Sequence, residues 1–290
     1  MTIATPLRHD AERLRAMNRE VRPPARLQAH YEIERELADR LRTSRREERG
    51  SLYREVYTEL FARLPDHPQH KADPEKRRAN TAVQVAFLRP MLSPDTVFVE
   101  VGCGDAAVTQ AVAHHVREAV GIDVTAALIN QAAAPANFRF VQTDGTSLAL
   151  ADGGADMVYS NQLMEHLHPD DARQQLQEVI RVLRPGGRYV CSTPNRLTGP
   201  HDISCYFGHK PEGFHMREYD HGSLAAMFRD AGFRSTRAVV SVKGRRMVLP
   251  VGPVSLAERV LAGLPQQMQA RLTGLGPVRN MLGVMLIGQK

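Results

Sequence analysis

Four short motifs carry residue types suited to holding a nucleotide-like ligand, and each stands at the end of an apolar run. In VFVEVGCGDAAVTQAV, Gly102 and Gly104 follow such a run and open a helical stretch. Glycine permits a tight turn and close backbone approach, and a helix start offers free N–H groups. A dinucleotide-binding loop uses the same device, but its third glycine would fall at position 107, which is Ala107. Glu100, two residues before Gly102, is placed to organise the loop and a ligand's ammonium group. Asp123 closes EAVGID, 21 residues after Gly102. A carboxylate there accepts both hydroxyls of a ribose; its bland role is a helix N-cap. Asp144 and Gly145 follow the next apolar run, where an acid can accept from the exocyclic amine of adenine while the backbone frames the ring. An ordinary Asp-Gly turn reads the same way. Asn161 opens NQLMEHLHP on the same rim, beyond the carboxyl ends of parallel strands, where ligands of such sheets sit. Its alternative is a loop or capping residue.

A second set of residues suits proton transfer. Of twelve histidines, six (His166, His168, His201, His209, His215 and His221) fall between positions 166 and 221. A histidine titrates near neutrality and can act as a general base. His166 and His201 are the candidates for that task, with His215 third, and a structural hydrogen bond is the alternative role of each. Glu165, His166, His201, Asp202 and His215 are of metal-ligand type, but no diagnostic ligand spacing is present and no metal is expected.

The elements that must position these residues alternate. Residues 7–64 have helical periodicity, broken by Pro23 and Pro24, and the proline- and charge-rich segment 65–78 reads as a linker. A helix then leads to Pro90. From Val97 the chain switches to strands at 97–102, 118–123, 138–144, 155–161 and 188–194, with a helix at 170–183 and a turn at LRPGG, 183–187. A helix at 224–233, a strand at 236–242 and a last strand at 283–290 follow. Strand alternating with helix predicts an α/β, Rossmann-like, mostly parallel sheet with helices on both faces. Four regions result: an N-terminal helical extension or cap at 1–79, a core at 80–246, an apolar helical insertion at 247–282, and the last core strand at 283–290. The extension and the insertion either close over a substrate or form a dimer interface. Met247, Val248, Leu249, Val251 and Val254 would suit an apolar pocket.

Composition removes several function classes. The chain has 290 residues, 42% hydrophobic and 24% charged, consistent with an ordinary globular core. Its net charge of +6 is spread through segments where Arg alternates with Glu and Asp, and aromatic residues make up 6% with no Trp. No nucleic-acid footprint is formed. No apolar run approaches the ~18 residues of a membrane span. The N-terminal residues lack the apolar stretch of a secretory signal, so a cytoplasmic location is expected. Cys103, Cys191 and Cys205 lack the spacing of a disulfide framework or zinc site.

EVGCGDAA, GID, TDG, NQLMEHLHP and LRPGGRYVCSTP, in that order and spacing, resemble the class I methyltransferases that use S-adenosylmethionine (SAM). They are most similar to the small-molecule group that includes the ubiquinone- and menaquinone-pathway enzymes. The resemblance covers about residues 80–245, and Ala106 departs from it, since many members have glycine there. It implies SAM as cosubstrate and a seven-stranded sheet with the last strand antiparallel. It also implies Gly102, Gly104, Asp123, Asp144 and Asn161 as cosubstrate contacts. TPNRLTGPHDISCYFGHKPEGFHMREYD, with YEIERELADRLR, resembles a bacterial methyltransferase subgroup. The expected activity is methyl transfer to a small-molecule acceptor, foremost O-methylation with a histidine base. A peptide or protein methyltransferase, a non-catalytic SAM-binding protein and an NAD oxidoreductase are the other readings. Ala107 and NQLMEHLHP weigh against the last.

Overall fold

The structure, a computed structural model, describes residues 5–67, 73–126, 128–129, 134–242 and 244–290. The strands are β1 (Val97–Val101), β2 (Glu118–Asp123), β3 (Phe138–Gln142), β4 (Ala155–Asn161), β5 (Leu183–Thr193), β6 (Ser235–Val242), β7 (Arg245–Pro250) and β8 (Val284–Gln289). They form one sheet in the order β3-β2-β1-β4-β5-β8-β6-β7. Every residue of β1 is buried, as a central strand covered on both faces requires. β1 to β5 pair in parallel, and β8 inserts antiparallel between β5 and β6. The mostly parallel sheet expected from the sequence is therefore present.

Two features of the sheet differ from the sequence reading. RRMVLP pairs as β7 with β6, from Val242↔Arg245 to Arg237↔Pro250, adding an eighth strand at the sheet edge. Gly244, at φ 78°, supplies the left-handed turn of this hairpin. LRPGG is not a separate turn but the start of β5. Leu183 pairs with Ala155, the register shifts, and pairing resumes at Met157↔Arg188. A bulge there absorbs the prolyl-glycyl residues.

The helices are α1 (Ala11–Asn18), α2 (Pro24–Thr43), α3 (Arg46–Arg63), α4 (Pro74–Leu88), α5 (Ala107–Ala113), α6 (Pro169–Val182) and α7 (His221–Ala231), with α8 (Val251–Ala262), α9 (Gln266–Thr273) and α10 (Gly276–Leu282) before β8. α4 begins inside the segment read as a linker. Asp73 caps it by accepting from the Glu75 N–H at 3.0 Å, and Pro74 occupies its first turn; residues 68–72 lie outside the described set.

α2 and α3 share a core with the sheet. Leu37, Leu41, Tyr53, Val56, Leu60 and Leu64 belong to the same buried cluster as Val99, Val158 and Leu176. α4 and α5 close the opposite face with Leu88, Val108 and Val112 against Phe98 and Tyr159. A buried ion pair pins α3 to α6: Arg49 donates from Nε and Nη2 to Asp171 at 2.7 and 2.9 Å. Among the described residues, no helix is long and apolar enough to cross a membrane.

Candidate active site

The carboxyl ends of β1 to β4 meet along one rim. Gly102 (φ 70°) and Gly104 (φ 54°) turn the chain after β1, and the Gly102 N–H donates to the Ile122 carbonyl at 2.8 Å. The two glycines are needed for different reasons. A Cβ on Gly102 would stand 2.9 Å from a methyl of Leu163, whereas one on Gly104 would meet nothing. Only backbone conformation demands glycine at 104, while both conformation and space demand it at 102. Ala106 also adopts a left-handed conformation, φ 57°, at the start of α5. The fold thus keeps at Ala106 the geometry that a glycine would adopt without strain.

Glu100 is buried on β1 and accepts a short hydrogen bond from the Thr109 hydroxyl. Burial pushes its carboxyl up to about 8, so a ligand cation nearby would favour its ionised form. Asp123 ends β2 and already holds the loops together. Its Oδ2 accepts from the Gly104 N–H at 2.8 Å, and its Oδ1 from the Val124 and Thr125 N–H groups at 2.7 and 3.3 Å. Burial raises its pKa against these hydrogen bonds.

Asp144 follows β3. Its Oδ1 accepts from the N–H groups of Thr146 and Ser147 and from the Thr146 hydroxyl at 2.8, 3.0 and 2.9 Å. Burial pushes this carboxyl up, but those bonds outweigh it and hold the pKa below the ordinary value. α3 lies directly over this turn. A Cβ on Gly50 would touch Asp144 at 3.4 Å, and one on Gly145 would touch the Tyr53 ring at 3.4 Å. Asn161 ends β4, paired with Ser192. Gln162, in left-handed conformation, then turns the chain so that Leu163 packs against the glycine loop.

Beyond Leu163, the sequence-predicted histidines separate. Glu165 is fully buried; its Oε2 accepts from the Thr193 hydroxyl at 2.8 Å, and burial pushes it up to about 7. The His166 Nδ1 donates to the Phe214 carbonyl at 3.1 Å. Burial, with the neighbouring His215, pulls this ring down to about 3, so it is neutral. The ring centroids of His166 and His215 lie 4.9 Å apart, edge to face. His215 Nδ1 pairs with Glu218 Oε1 at 2.8 Å. Burial opposes its charge, yet Glu218, Asp202 and Glu165 together hold its pKa above the ordinary value.

His201 joins this pair through its backbone, which shares Glu218 Oε1 with His215. Its Nε2 meets the Thr198 hydroxyl at 2.8 Å and the Asn195 carbonyl at 3.2 Å, and its backbone N–H donates to Glu218 at 2.6 Å. The carbonyl can only accept, so Nε2 carries the proton and the lone pair of the neutral ring is on Nδ1.

Two residues here escape sequence inspection. Glu218 is one, although its spacing of three from His215 is a local signal. Tyr57 of α3 is the other, and nothing in its own neighbourhood signals it. Its ring stacks on Phe214 at 5.0 Å and meets His166 edge-on at 6.4 Å. Burial raises its hydroxyl pKa, with further contributions from Glu34, Asp123 and Glu165. Tyr57 thus sets an aromatic ring from α3 against Phe214 and His166.

Residues 98–187 match the family described as "Methyltransferase domain". A probable S-adenosylmethionine-dependent methyltransferase of Mycolicibacterium smegmatis is 33% identical over 140 residues, 47% of this chain and 51% of that protein. A malonyl-[acyl-carrier protein] O-methyltransferase of Hahella chejuensis is 36% identical over 100 residues, 33% of this chain and 35% of that one. The chain spans about half the length of the first of these curated relatives. Among solved structures, a SAM-dependent methyltransferase from Archaeoglobus fulgidus superposes with a TM-score of 0.50 at 15% identity, covering 74% of this chain and 94% of its own. A phosphoethanolamine N-methyltransferase from Haemonchus contortus gives 0.52 at 15% identity, covering 83% of this chain and 49% of its own. These likenesses establish a shared fold.

Proposed function

We propose that this chain, whose residues 98–187 match the methyltransferase-domain family, transfers the methyl group of S-adenosylmethionine to a hydroxyl of a small-molecule acceptor. One observation carries the reading. Leu163 packs on the glycine loop at Gly102 and is followed within three residues by the buried Glu165 and the half-buried His166, which meet His215. A donor site and a proton-handling cluster are thus consecutive along one loop.

The residues present suit the donor. Two left-handed glycines open the loop and Asp123 stands at the end of β2 for the ribose. Glu100, buried close to that loop, suits an ammonium group. When bound, the donor supplies an electrophilic methyl carbon on a positively charged sulfur. The chain has to align the acceptor oxygen with that carbon and take up its proton.

Neutral His166 keeps its Nδ1 proton on the Phe214 carbonyl and lines the acceptor site beside His215, to whose Nε2 the acceptor's hydroxyl donates. His215, backed by Glu218, receives the proton as the oxygen lone pair forms its bond to the methyl carbon. The electron pair of the breaking carbon–sulfur bond stays on sulfur. His201 has a structural role, holding Thr198 and Asn195. The burial of Glu165 and His215 favours a small acceptor over a polypeptide, and the O-methyltransferase relative supports oxygen as the accepting atom.

The test combines binding and label transfer. Calorimetry with S-adenosylhomocysteine should show binding that Asp123→Ala weakens at least ~10-fold, about 1.4 kcal/mol. Methyl-labelled SAM should label the small-molecule fraction of a cell extract, and His215→Ala should slow that labelling while leaving S-adenosylhomocysteine affinity intact. Label in the protein fraction alone would assign a polypeptide acceptor. Binding without label in either fraction would make the chain a non-catalytic binder.

A further inference from the structure

We propose that Glu165, His166 and His215 hold a divalent first-row transition-metal ion whose open positions take the acceptor's hydroxyl oxygen. This rests on the O-methylation reading above and replaces proton uptake by His215 with metal activation at the same place. The ligand-capable atoms of the three residues all lie within 4.8 Å of one another. Metal–ligand distances near 2.1 Å would set such atoms roughly 3–3.5 Å apart, so closing the site asks for movements of about an ångström.

Three features prepare these side chains for an ion. Each histidine commits Nδ1 outward, His166 to the Phe214 carbonyl at 3.1 Å and His215 to Glu218 at 2.8 Å. That leaves both Nε2 atoms as the ligating positions, and outward Nδ1–H bonds to carbonyls and carboxylates are what orient metal-bound imidazoles. Glu165 commits Oε2 to Thr193, while its Oε1 is fully buried and accepts no hydrogen bond among the described residues. An unpartnered buried carboxylate oxygen is costly, and a cation answers that cost.

A second cluster shows what a satisfied arrangement looks like. His30, Glu34 and His67 also converge. Arg22, which can only donate, binds His30 Nδ1 at 2.6 Å, so the His30 proton sits on Nε2 and points to Glu34 Oε1 at 2.6 Å. Both His30 nitrogens are used, and this cluster is a hydrogen-bond network instead of a ligand set.

Two imidazoles and one carboxylate leave open positions and suit manganese, iron or zinc; magnesium and calcium prefer all-oxygen ligands. A hydroxyl bound there loses its proton to solvent water. The resulting oxygen lone pair forms the bond to the methyl carbon, the carbon–sulfur pair stays on sulfur, and the ion keeps its oxidation state.

The experiment is a Mn2+ titration of the full chain after EDTA dialysis, read by electron paramagnetic resonance, with zinc as competitor. One ion per chain should bind. Glu165→Gln and His215→Ala should each abolish that binding, and Glu218→Gln should weaken it about 10-fold by freeing the His215 ring. His201→Ala should leave it unchanged, and circular-dichroism melts confirm that each variant is folded. Absence of stoichiometric binding, or binding indifferent to Glu165→Gln and His215→Ala in folded protein, overturns the proposal. Calorimetry with S-adenosylhomocysteine on the same samples separates the two claims. If it binds metal-free protein that takes up no Mn2+, the methyltransferase reading stands and the metal site falls. If S-adenosylhomocysteine fails to bind with or without Mn2+, the methyltransferase reading falls and the metal site is judged on the titration.

Discussion

Replacing Arg49 by alanine should cost about 3–5 kcal/mol of stability, because it strands a carboxylate that has no exposure to water. Arg49 and Asp171 are 3% and 0% exposed in their side chains and meet through two parallel hydrogen bonds. The Tyr53 hydroxyl also donates to Asp171 Oδ2 at 2.8 Å while accepting from the His168 N–H at 2.8 Å. With Arg49 gone, Asp171 retains one neutral donor, too little to stabilise a buried charge. For a chain of this length the loss corresponds to a melting temperature about 5–8 °C lower. Urea unfolding followed by circular dichroism measures it. Arg49→Met combined with Asp171→Leu should recover most of the loss, since an apolar pair of similar volume is tolerated where a lone charge is not. The perturbation should also reach the site, because α3 presents Gly50 and Tyr53 to the Asp144–Gly145 turn and Tyr57 to His166. S-adenosylhomocysteine affinity should fall in the single variant and return in the double. A single-variant loss under ~1 kcal/mol, the range of exposed pairs such as Arg63–Glu36, refutes the reasoning.

Further outcomes follow from the same geometry. Gly102→Ala should destabilise the protein and weaken S-adenosylhomocysteine binding more than Gly104→Ala, because only the former drives a Cβ into Leu163; calorimetry and melts on both variants check the order. At Gly104 the left-handed conformation alone should cost about 1–2 kcal/mol. Glu100 titrates near 8 in the folded chain against an ordinary 4.5. The folded state therefore binds more protons than the unfolded state in that window, and this group lowers stability as pH rises through it. Glu100→Gln should gain on wild type between about pH 5 and pH 8, by up to a few kcal/mol; a stability difference independent of pH contradicts this. Tyr57→Ala should reduce turnover while leaving the far-UV spectrum unchanged, since the ring packs between Phe214 and His166. Unaltered turnover removes Tyr57 from the site.

Legibility followed locality. β1, β2 and β4 are near-continuous apolar runs because parallel strands are buried on both faces, and their ends point to the residues of the rim. β7 was hidden because RRMVLP lies at the sheet edge, where Met247 and Val248 are half exposed and can be taken for pocket lining. The start of α4 was masked by the prolines around it, though Asp73-Pro74 is a capping signal. At the site, residue types spoke only where the chemistry is local. Asp123 stands at the strand end that its spacing from Gly102 predicts, yet the three backbone N–H groups that it holds are a three-dimensional fact. In sequence His201 ranks ahead of His215 as a candidate base. Only the fold turns the first toward Asn195 and brings the second to His166 and Glu218. Tyr57 reaches the site from a helix some hundred residues earlier in the chain, which no local pattern announces.

The most direct test of the account is a crystal structure of the chain with S-adenosylhomocysteine. Its ribose hydroxyls should bind Asp123, its adenine should lie beside Asp144 and Gly145 under α3, and its sulfur should face Glu165, His166 and His215. A ligand seated away from the Gly102–Gly104 loop, or one whose sulfur points away from the histidine cluster, would contradict it.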